Sequence, residues 1–477
     1  MVGASPETEP HQGSATSITD LDADTLANCA SFLCLEDVVS MAMSSKQLQA
    51  AAYSDHTWNS LFRKRWPLLV PSGFPHQLGA REAYLSRLAY SHQLVFRNPS
   101  SAALMTETTP HDILLMDEND IVLSKGSVVR FYRNCHLYEE TKLSGHEARI
   151  SCMRFFPIDE TPFLLSKDQG NDSFLVTASL DHSIRIWHQD RCLHSLRGHN
   201  GPVSTLSDRL LGSSPGKLIA SGGEDGTVRL WSVEPGGKHG QSALKATLHG
   251  HDKSVVLLSV ARHITSLLVS ISENSKVMVW DATTSSSQLK SSSLVGKATV
   301  PGTPVGMKCH ESLVYVAAGS SVVGIDLRTM HNVLTLKLDE DVHSFQMLPH
   351  NSFICTGLTS RAMLWDVRKS SDLQEMAENV AEMKGPAGKI TLLHMDSYKI
   401  VTGGYEEGCV NVWETGTGKQ TNSLNGCCHC LSMAAHDSRI AMTSGDCDYG
   451  DPSQLRVMHF RNARSRCLSF EATPSSE

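Results

Sequence analysis

The sequence predicts a mainly β fold of seven or eight radially arranged four-stranded sheets, preceded by a small α-helical module. Three observations carry this expectation. Tryptophans stand at 187, 231 and 280 and again at 365 and 413, close to evenly spaced apart from one gap of double length. Each ends a pair of short alternating runs rich in Val, Ile, Leu and Thr around a polar turn, as in "SLDHSIRIW" at 179–187 and "SGGEDGTVRLW" at 221–231. Alternation of this kind is the signature of antiparallel strands. The segment before residue 66 has instead the three-to-four residue apolar spacing of helices.

The gap between Trp280 and Trp365 holds one more unit, "VYVAAGSSVVGIDLRT", with Ile325 where the tryptophan would stand. Two further hairpins extend the series, "DIVLSKGSVVRFYR" from Asp120 and "RIAMTSGD…LRVMHF" from Arg439. Eight hairpins result, or seven blades if the first and last share one. A four-stranded sheet cannot cover both of its apolar faces alone, so a chain of such units closes on itself as a β-propeller.

The stretches "LSGHEARISCMRF…LVTASLDHSIRIW", "LRGHNGPVSTL…LIASGGEDGTVRLW" and "LHGHDKSVVLLSV…LLVSISENSKVMVW" resemble WD repeats, and the resemblance runs from about 110 to 470. It implies that His146, Asp181 and Trp187, with a hydroxyl such as Thr177 or Ser179, form a buried hydrogen-bonded set, and that His199, Asp225 and Trp231 repeat it. His251 and Trp280 belong to a third set in which Asn274 replaces the acid; Trp413 closes a later repeat. A buried indole N–H, imidazole and carboxylate each cost free energy unless they satisfy one another. The SGGEDGTVRLW stretch is therefore expected to be architecture rather than a chemical site.

Ahead of the repeats, Ile18 to Trp66 is expected to form three short helices. Leu26, Ala30 and Leu33 share one face; Asp24 is positioned to cap the first helix, Glu36 and Asp37 suit the first turn of the second, and Ser44 or Ser45 can cap the third. Fifty residues make a small core, so this module is expected to bury part of its surface on a partner. Its pattern, with Leu21, the helix end "SFLCLED" and a closing Trp58, resembles an F-box, although Asp22 stands where that family usually has proline. The resemblance implies docking on a Skp-type adaptor of a cullin-RING ubiquitin ligase through Leu21, Leu26, Phe32, Leu33, Leu35, Val38 and Val39, with Trp58 and Leu61 inside the module. The order of modules is similar to that of F-box/WD-repeat-containing proteins. The expected organisation is a disordered leader at 1–16, the F-box at 17–66, a helical linker at 67–100, the propeller at 101–470 and a disordered tail at 471–477.

Bulk properties narrow the function classes. The chain has 477 residues, 40% hydrophobic and 19% charged, with a net charge of -8, which suits a globular protein and gives no reason to expect nucleic-acid or membrane partners. The longest apolar run, Val255 to Ile271, is interrupted by Arg262 and His263, which is wrong for a bilayer span. The N-terminus lacks the basic and apolar regions of a signal peptide. Thirteen irregularly spaced cysteines then point to free thiols and a cytoplasmic or nuclear setting.

Chemical motifs are weak. "GSSPG" (212–216) lacks the strand-to-helix setting of a hydrolase serine. "GPAGKIT" (385–391) and "GTGKQT" (416–421) lack phosphate-loop spacing, and "CCHC" (427–430) lacks a second zinc-ligand pair. No catalytic residue, metal or cofactor is expected, and the chain is read as not an enzyme. Trp365, Asp366 and Arg368 in "LWDVR" match a Trp-Asp-x-Arg segment with which some WD-repeat proteins attach to a cullin-4 ligase, a candidate second adaptor contact. For a protein target, Arg149 and Lys253, just after two Gly-His pairs, are the candidate basic contacts. The expected function is that of a substrate-recognition subunit of an SCF-type ligase, with a cullin-4 receptor or a non-ligase scaffold as alternatives.

Overall fold

The computed structural model describes residues 21–66, 79–96, 99–105, 113–116, 120–132, 140–157, 173–188, 191–212, 217–233, 243–261, 263–282, 294–348, 352–369, 379–385, 388–406, 409–425, 429–444 and 454–460. The leader, the tail, most of GSSPG and two cysteines of CCHC lie outside them. The chain divides into two compact units, Met1–Tyr90 and Ser91–Glu477.

Within the described residues 21–66 there are four helices rather than three: α1 (Ala23–Ser31), α2 (Leu35–Ser44), α3 (Lys46–Ala52) and α4 (Asp55–Arg65). Ser54 supplies the extra boundary. Its hydroxyl accepts from the Thr57 N–H, as that of Ser45 accepts from Leu48 at the head of α3, so two serines each start a helix by satisfying an orphan N–H. Asp24 does not cap α1; it lies in the first turn, and Asp22 holds the cap position. At the other end of α1, Lys64 Nζ donates to the Ser31 carbonyl at 2.6 Å, where the helix dipole favours a cation.

The core of this unit follows helical periodicity. Leu26 and Ala30 of α1, Val38 of α2, Ala52 of α3 and Trp58, Leu61 and Phe62 of α4 are buried. A further helix, α5 (Ala80–Phe96), brings Tyr84 against the rings of Trp58 and Trp66 at centroid distances of 5.4 and 5.3 Å. Its Arg87 guanidinium sits 5.2 Å from the Trp66 ring. Buried side chains of this size contribute about 2–3 kcal/mol each.

The second unit contains eight four-stranded antiparallel sheets. Sheets 1 to 7 are sequential, spanning 114–143, 150–197, 203–248, 255–299, 304–337, 344–384 and 392–425. Sheet 8 takes three strands from 430–459 and its fourth from Ser100–Met105, which pairs from Ser100 opposite His459 to Met105 opposite Gln454. The blade count is eight. The first and last hairpins occupy separate sheets, and the ring is closed by a strand that precedes the first hairpin. The apolar run at 255–271 is two strands, Val255–Val260 and Leu267–Ser272; among the described residues no helix is long and apolar enough to cross a membrane.

Two recurrent irregularities fit the sheets together. The inner strand is bulged between Ile150 and Cys152, Val203 and Thr205, and Val255 and Leu257, and the extra residue is put to use. Ser151 Oγ donates to the carbonyl of Val203, and Ser204 Oγ to that of Val255, tying each inner strand to the next. The outer pairing shifts at Trp187, Trp231, Trp280, Ile325, Trp365 and Trp413, where a bulge re-aims the side chain. Trp187 thereby joins the apolar layer shared with sheet 1, Trp231 the layer with sheet 2 and Trp280 the layer with sheet 3. The turn before these strands needs a left-handed residue, supplied by Gly226 (φ 70°) but by His182 (66°) and Ser275 (64°) in the flanking sheets. A Cβ on Gly226 would also come within 2.8 Å of the His251 carbonyl.

Deleting residues 1–105 strips the fourth strand from sheet 8, whereas deleting 1–98 keeps it. The shorter chain is expected to melt about 10 °C lower than the longer one and to self-associate through its bare edge. Calorimetry and size-exclusion chromatography of the two truncations check this.

Candidate functional site: the propeller networks and the helical surface

In sheet 2 the polar set is complete. The Trp187 indole N–H donates to Thr177 Oγ1 at 2.9 Å, and Thr177 Oγ1 lies 2.8 Å from His146 Nε2. His146 Nδ1 lies 3.0 Å from Asp181 Oδ2. Indole can only donate and carboxylate can only accept, so the protons run one way: the Thr177 hydroxyl donates to Nε2, and Nδ1–H donates to Asp181. The carboxylate also accepts from the Glu147 and Ser183 N–H groups at 2.9 Å each. Of the two hydroxyls proposed from sequence, Thr177 is the member; Ser179 bonds the Ala148 carbonyl at 2.8 Å instead.

Sheet 3 repeats the arrangement with Ser221. Trp231 donates to its hydroxyl at 2.8 Å, His199 Nε2 lies 2.7 Å from it, and His199 Nδ1 is 3.1 Å from Asp225. Burial lowers the pKa of both histidines despite the opposing carboxylates. Burial alone would raise Asp181 and Asp225, but hydroxyl and backbone donors outweigh it and hold both carboxyls below the usual range.

Sheet 4 shows what one amide costs. Trp280 and His251 Nε2 still meet Ser270 Oγ, each at 2.7 Å. Asn274 instead accepts from Ser272 at 2.6 Å, and His251 Nδ1 is buried without a hydrogen-bond partner. Burial, with Asp252 opposing, depresses His251 from 6.5 to about 4. In sheet 5 Val316 and Ile325 occupy the hydroxyl and indole places, so the polar group is absent as a whole. Sheets 6 and 7 keep only the indole–hydroxyl bond, Trp365 to Thr356 at 3.2 Å and Trp413 to Thr402 at 3.0 Å.

The hydroxyl partners Ser221, Ser270, Thr356 and Thr402 were not singled out from sequence. Their signal is a Ser or Thr nine to eleven residues before each tryptophan.

The candidate surface contacts divide. Arg149 and Lys253 are exposed, as is Glu224 beside the Asp225 turn. Arg368 forks onto Asp366 with bonds of 2.9 and 2.8 Å, while Trp365 and Asp366 are buried. On the helical unit, Phe32 is 76% exposed, Val39 47% and Leu21 37%, and Leu33 and Leu35 are half-buried. Leu26 and Val38 have no exposed surface, which corrects their assignment as adaptor contacts. Val38 and Val39 are adjacent, about 100° apart on a helix, so one faces the core when the other faces outward. Met43, one turn beyond Val39 and 83% exposed, was missed.

GPAGKIT lies between strands, with its residues 386–387 outside the described set, and GTGKQT joins the strands Cys409–Glu414 and Gln420–Asn425. Among the described residues no cluster of three His, Cys, Asp or Glu is placed to hold a metal ion.

Residues 138–188 and 190–232 match the family model described as WD domain, G-beta repeat. The propeller therefore carries WD repeats. Curated relatives include the small ribosomal subunit protein RACK1y of Oryza sativa subsp. japonica, 35% identical over 19% of this chain and 24% of that protein. The nuclear distribution protein PAC1 of Arthroderma otae is 32% identical over 23% of this chain and 22% of its own length. The match thus spans about a quarter of each relative. Among solved structures, the computationally designed protein Ika8 is similar with a TM-score of 0.56 and 16% identity, covering 74% of this chain and 98% of the designed one, a likeness of fold alone.

Replacing Asp225 with Ala removes the acceptor of His199 Nδ1–H and of two backbone N–H groups, and is expected to destabilise the chain by about 3 kcal/mol in denaturant unfolding. Because the folded-state pKa of His251 lies below its unfolded value, the unfolded chain takes the proton first. This site's contribution is therefore whole above about pH 6.5 and falls by about 3 kcal/mol as the pH drops to about 4. Asn274→Asp gives Nδ1–H an acceptor and raises the His251 pKa. Its gain in unfolding free energy is expected to be about 1 kcal/mol at pH 7 and larger at pH 5.

Proposed function

We propose that this WD-repeat protein is the substrate-recognition subunit of an SCF-type ubiquitin ligase. Its helices within residues 23–65 dock a Skp-type adaptor, and its propeller holds the protein target. One observation carries the reading: the helical unit makes its own core from Leu26, Val38, Trp58, Leu61 and Phe62, yet leaves Phe32, Val39 and Met43 in water. A small unit that already has a core gains nothing by exposing three large apolar side chains unless a partner covers them. Val39 and Met43 are four residues apart and share one stripe of α2. Phe32 lines a groove of about 530 Å³ together with His56, Arg63 and Lys64.

The attachment is assigned to the helices rather than to the Trp365–Arg368 segment, because Asp366 already engages the Arg368 guanidinium through two bonds. In this role the chain supplies no reacting group. It raises the effective concentration of target lysines near a charged conjugating enzyme, and other subunits carry the chemistry. A propeller scaffold without a ligase role is the second reading, favoured by the relatedness of the repeats to a nuclear distribution protein.

Purified Skp-type adaptor is expected to bind the full chain and to lose at least about tenfold in affinity with Phe32→Ser plus Val39→Asp, since two truncated anchors cost more than 1.4 kcal/mol. Their exposure means the melting temperature should hold. No affinity of the unaltered chain for the adaptor overturns the proposal and leaves the scaffold reading.

A further inference from the structure

The inner strands of the propeller place register-equivalent residues around its central wall. In sheet 2 the buried Met153 pairs with Thr177, and in sheet 5 the buried Met307 pairs with Val316, its structural counterpart. The next residue in six successive inner strands is Arg154, Ser207, Ser259, Lys308, Gln346 and His394. This row contains an arginine and a lysine and no acid.

Lys308 Nζ lies 3.8 Å from Asp208, which follows the inner strand of sheet 3 and reaches onto that of sheet 4. Both Asp208 oxygens are already engaged, by Ser259 Oγ at 3.0 Å and by the Val260 N–H at 2.9 Å. Burial pushes the Lys308 ammonium pKa down, Asp208 opposes, and the charges of Arg154 and Arg209 lower it further. Arg154 Nε is buried without a hydrogen-bond partner. Lys308 thus shares its carboxylate partner with two neutral donors of sheet 4, while the charges of Arg154 and Arg209 act on the same ammonium.

Like charges held together in a partly desolvated place cost free energy unless an anion offsets them. A guanidinium offers a planar fork for two oxygens and an ammonium a point charge, which together suit a tetrahedral oxyanion. We propose that the inner wall of the propeller at sheets 2 to 5 binds a small multivalent anion of the phosphate class, with Arg154 and Lys308 as its principal contacts and Arg209 contributing charge. This site lies in the second unit and stands independently of the adaptor reading.

The test titrates pyrophosphate into the full chain near neutral pH by calorimetry, against sodium chloride at matched ionic strength. Saturable binding is expected, weakened about tenfold or more in Lys308→Met and in Arg154→Met, as loss of one charge-assisted bond requires. Lys337→Met, which removes an exposed lysine from an outer strand, is expected to bind like the unaltered chain. Absence of saturable heat beyond the chloride blank, or equal binding in all variants, overturns the site. A second measurement does not depend on the variants folding: acetylation of the native chain, read by mass spectrometry, should be slowed at Lys308 and not at Lys337 by pyrophosphate. Equal labelling of Lys308 with and without pyrophosphate overturns the proposal.

Discussion

Each sheet of the propeller has two apolar faces and can cover neither by itself. Every other feature of the second unit depends on that constraint. The layer between sheets 2 and 3 joins Phe156, Phe174 and Ile186 to Ile219 and Trp231, and the layer between sheets 5 and 6 joins Tyr315 and Leu336 to Ile354 and Trp365. The same need makes closure obligatory, because an open array leaves two faces wet. Leu114, Ile121 and Tyr132 of sheet 1 meet Ala441, Leu455 and Val457 of sheet 8. Pairing of Ser100–Met105 with the last strand makes that junction depend on segments far apart in sequence.

The tryptophan of each polar set enters these layers with a hydroxyl to receive its indole N–H. Sheets 2 and 3 have the carboxylate, imidazole, hydroxyl and indole in one directed chain of hydrogen bonds. Where sheet 5 loses the indole it loses the hydroxyl as well, and Val316 and Ile325 pack as hydrocarbons. Removing both partners of a buried hydrogen bond is nearly neutral, whereas removing one leaves a desolvated group. Sheet 4 is the exception that shows the cost, with an imidazole nitrogen left over at His251. The ring is consequently not uniform in stability around its circumference.

The helical unit obeys a different economy. Its core is built around Trp58, Phe62 and Trp66 with Tyr84, a large aromatic payload for so short a segment. The exposed apolar side chains are thus a surplus over what folding uses, and this distinction between core and surplus gives the docking proposal its content. The propeller contributes breadth: a rigid ring with exposed loops, suited to holding another protein.

Much of this was legible in the sequence, for identifiable reasons. Strand alternation and the recurrence of tryptophan fixed the repeating sheets, because period-two patterning and a recurrent buried anchor are properties of the local chain. Ile325 could be recognised as a stand-in for tryptophan by rhythm alone. The His–Asp–Trp sets were legible through their resemblance to a known repeat, though which hydroxyl joined them was not, since Thr177 and Ser179 point to the same side of a strand and only the neighbouring loop decides between them. The helix boundary at Ser54, the burial of Val38 against the exposure of Val39, the closure by Ser100–Met105 and the pairing of Lys308 with Asp208 were decided by tertiary structure. Each depends on contacts between residues distant in sequence, and such contacts are set by how the elements pack rather than by the pattern within any one of them.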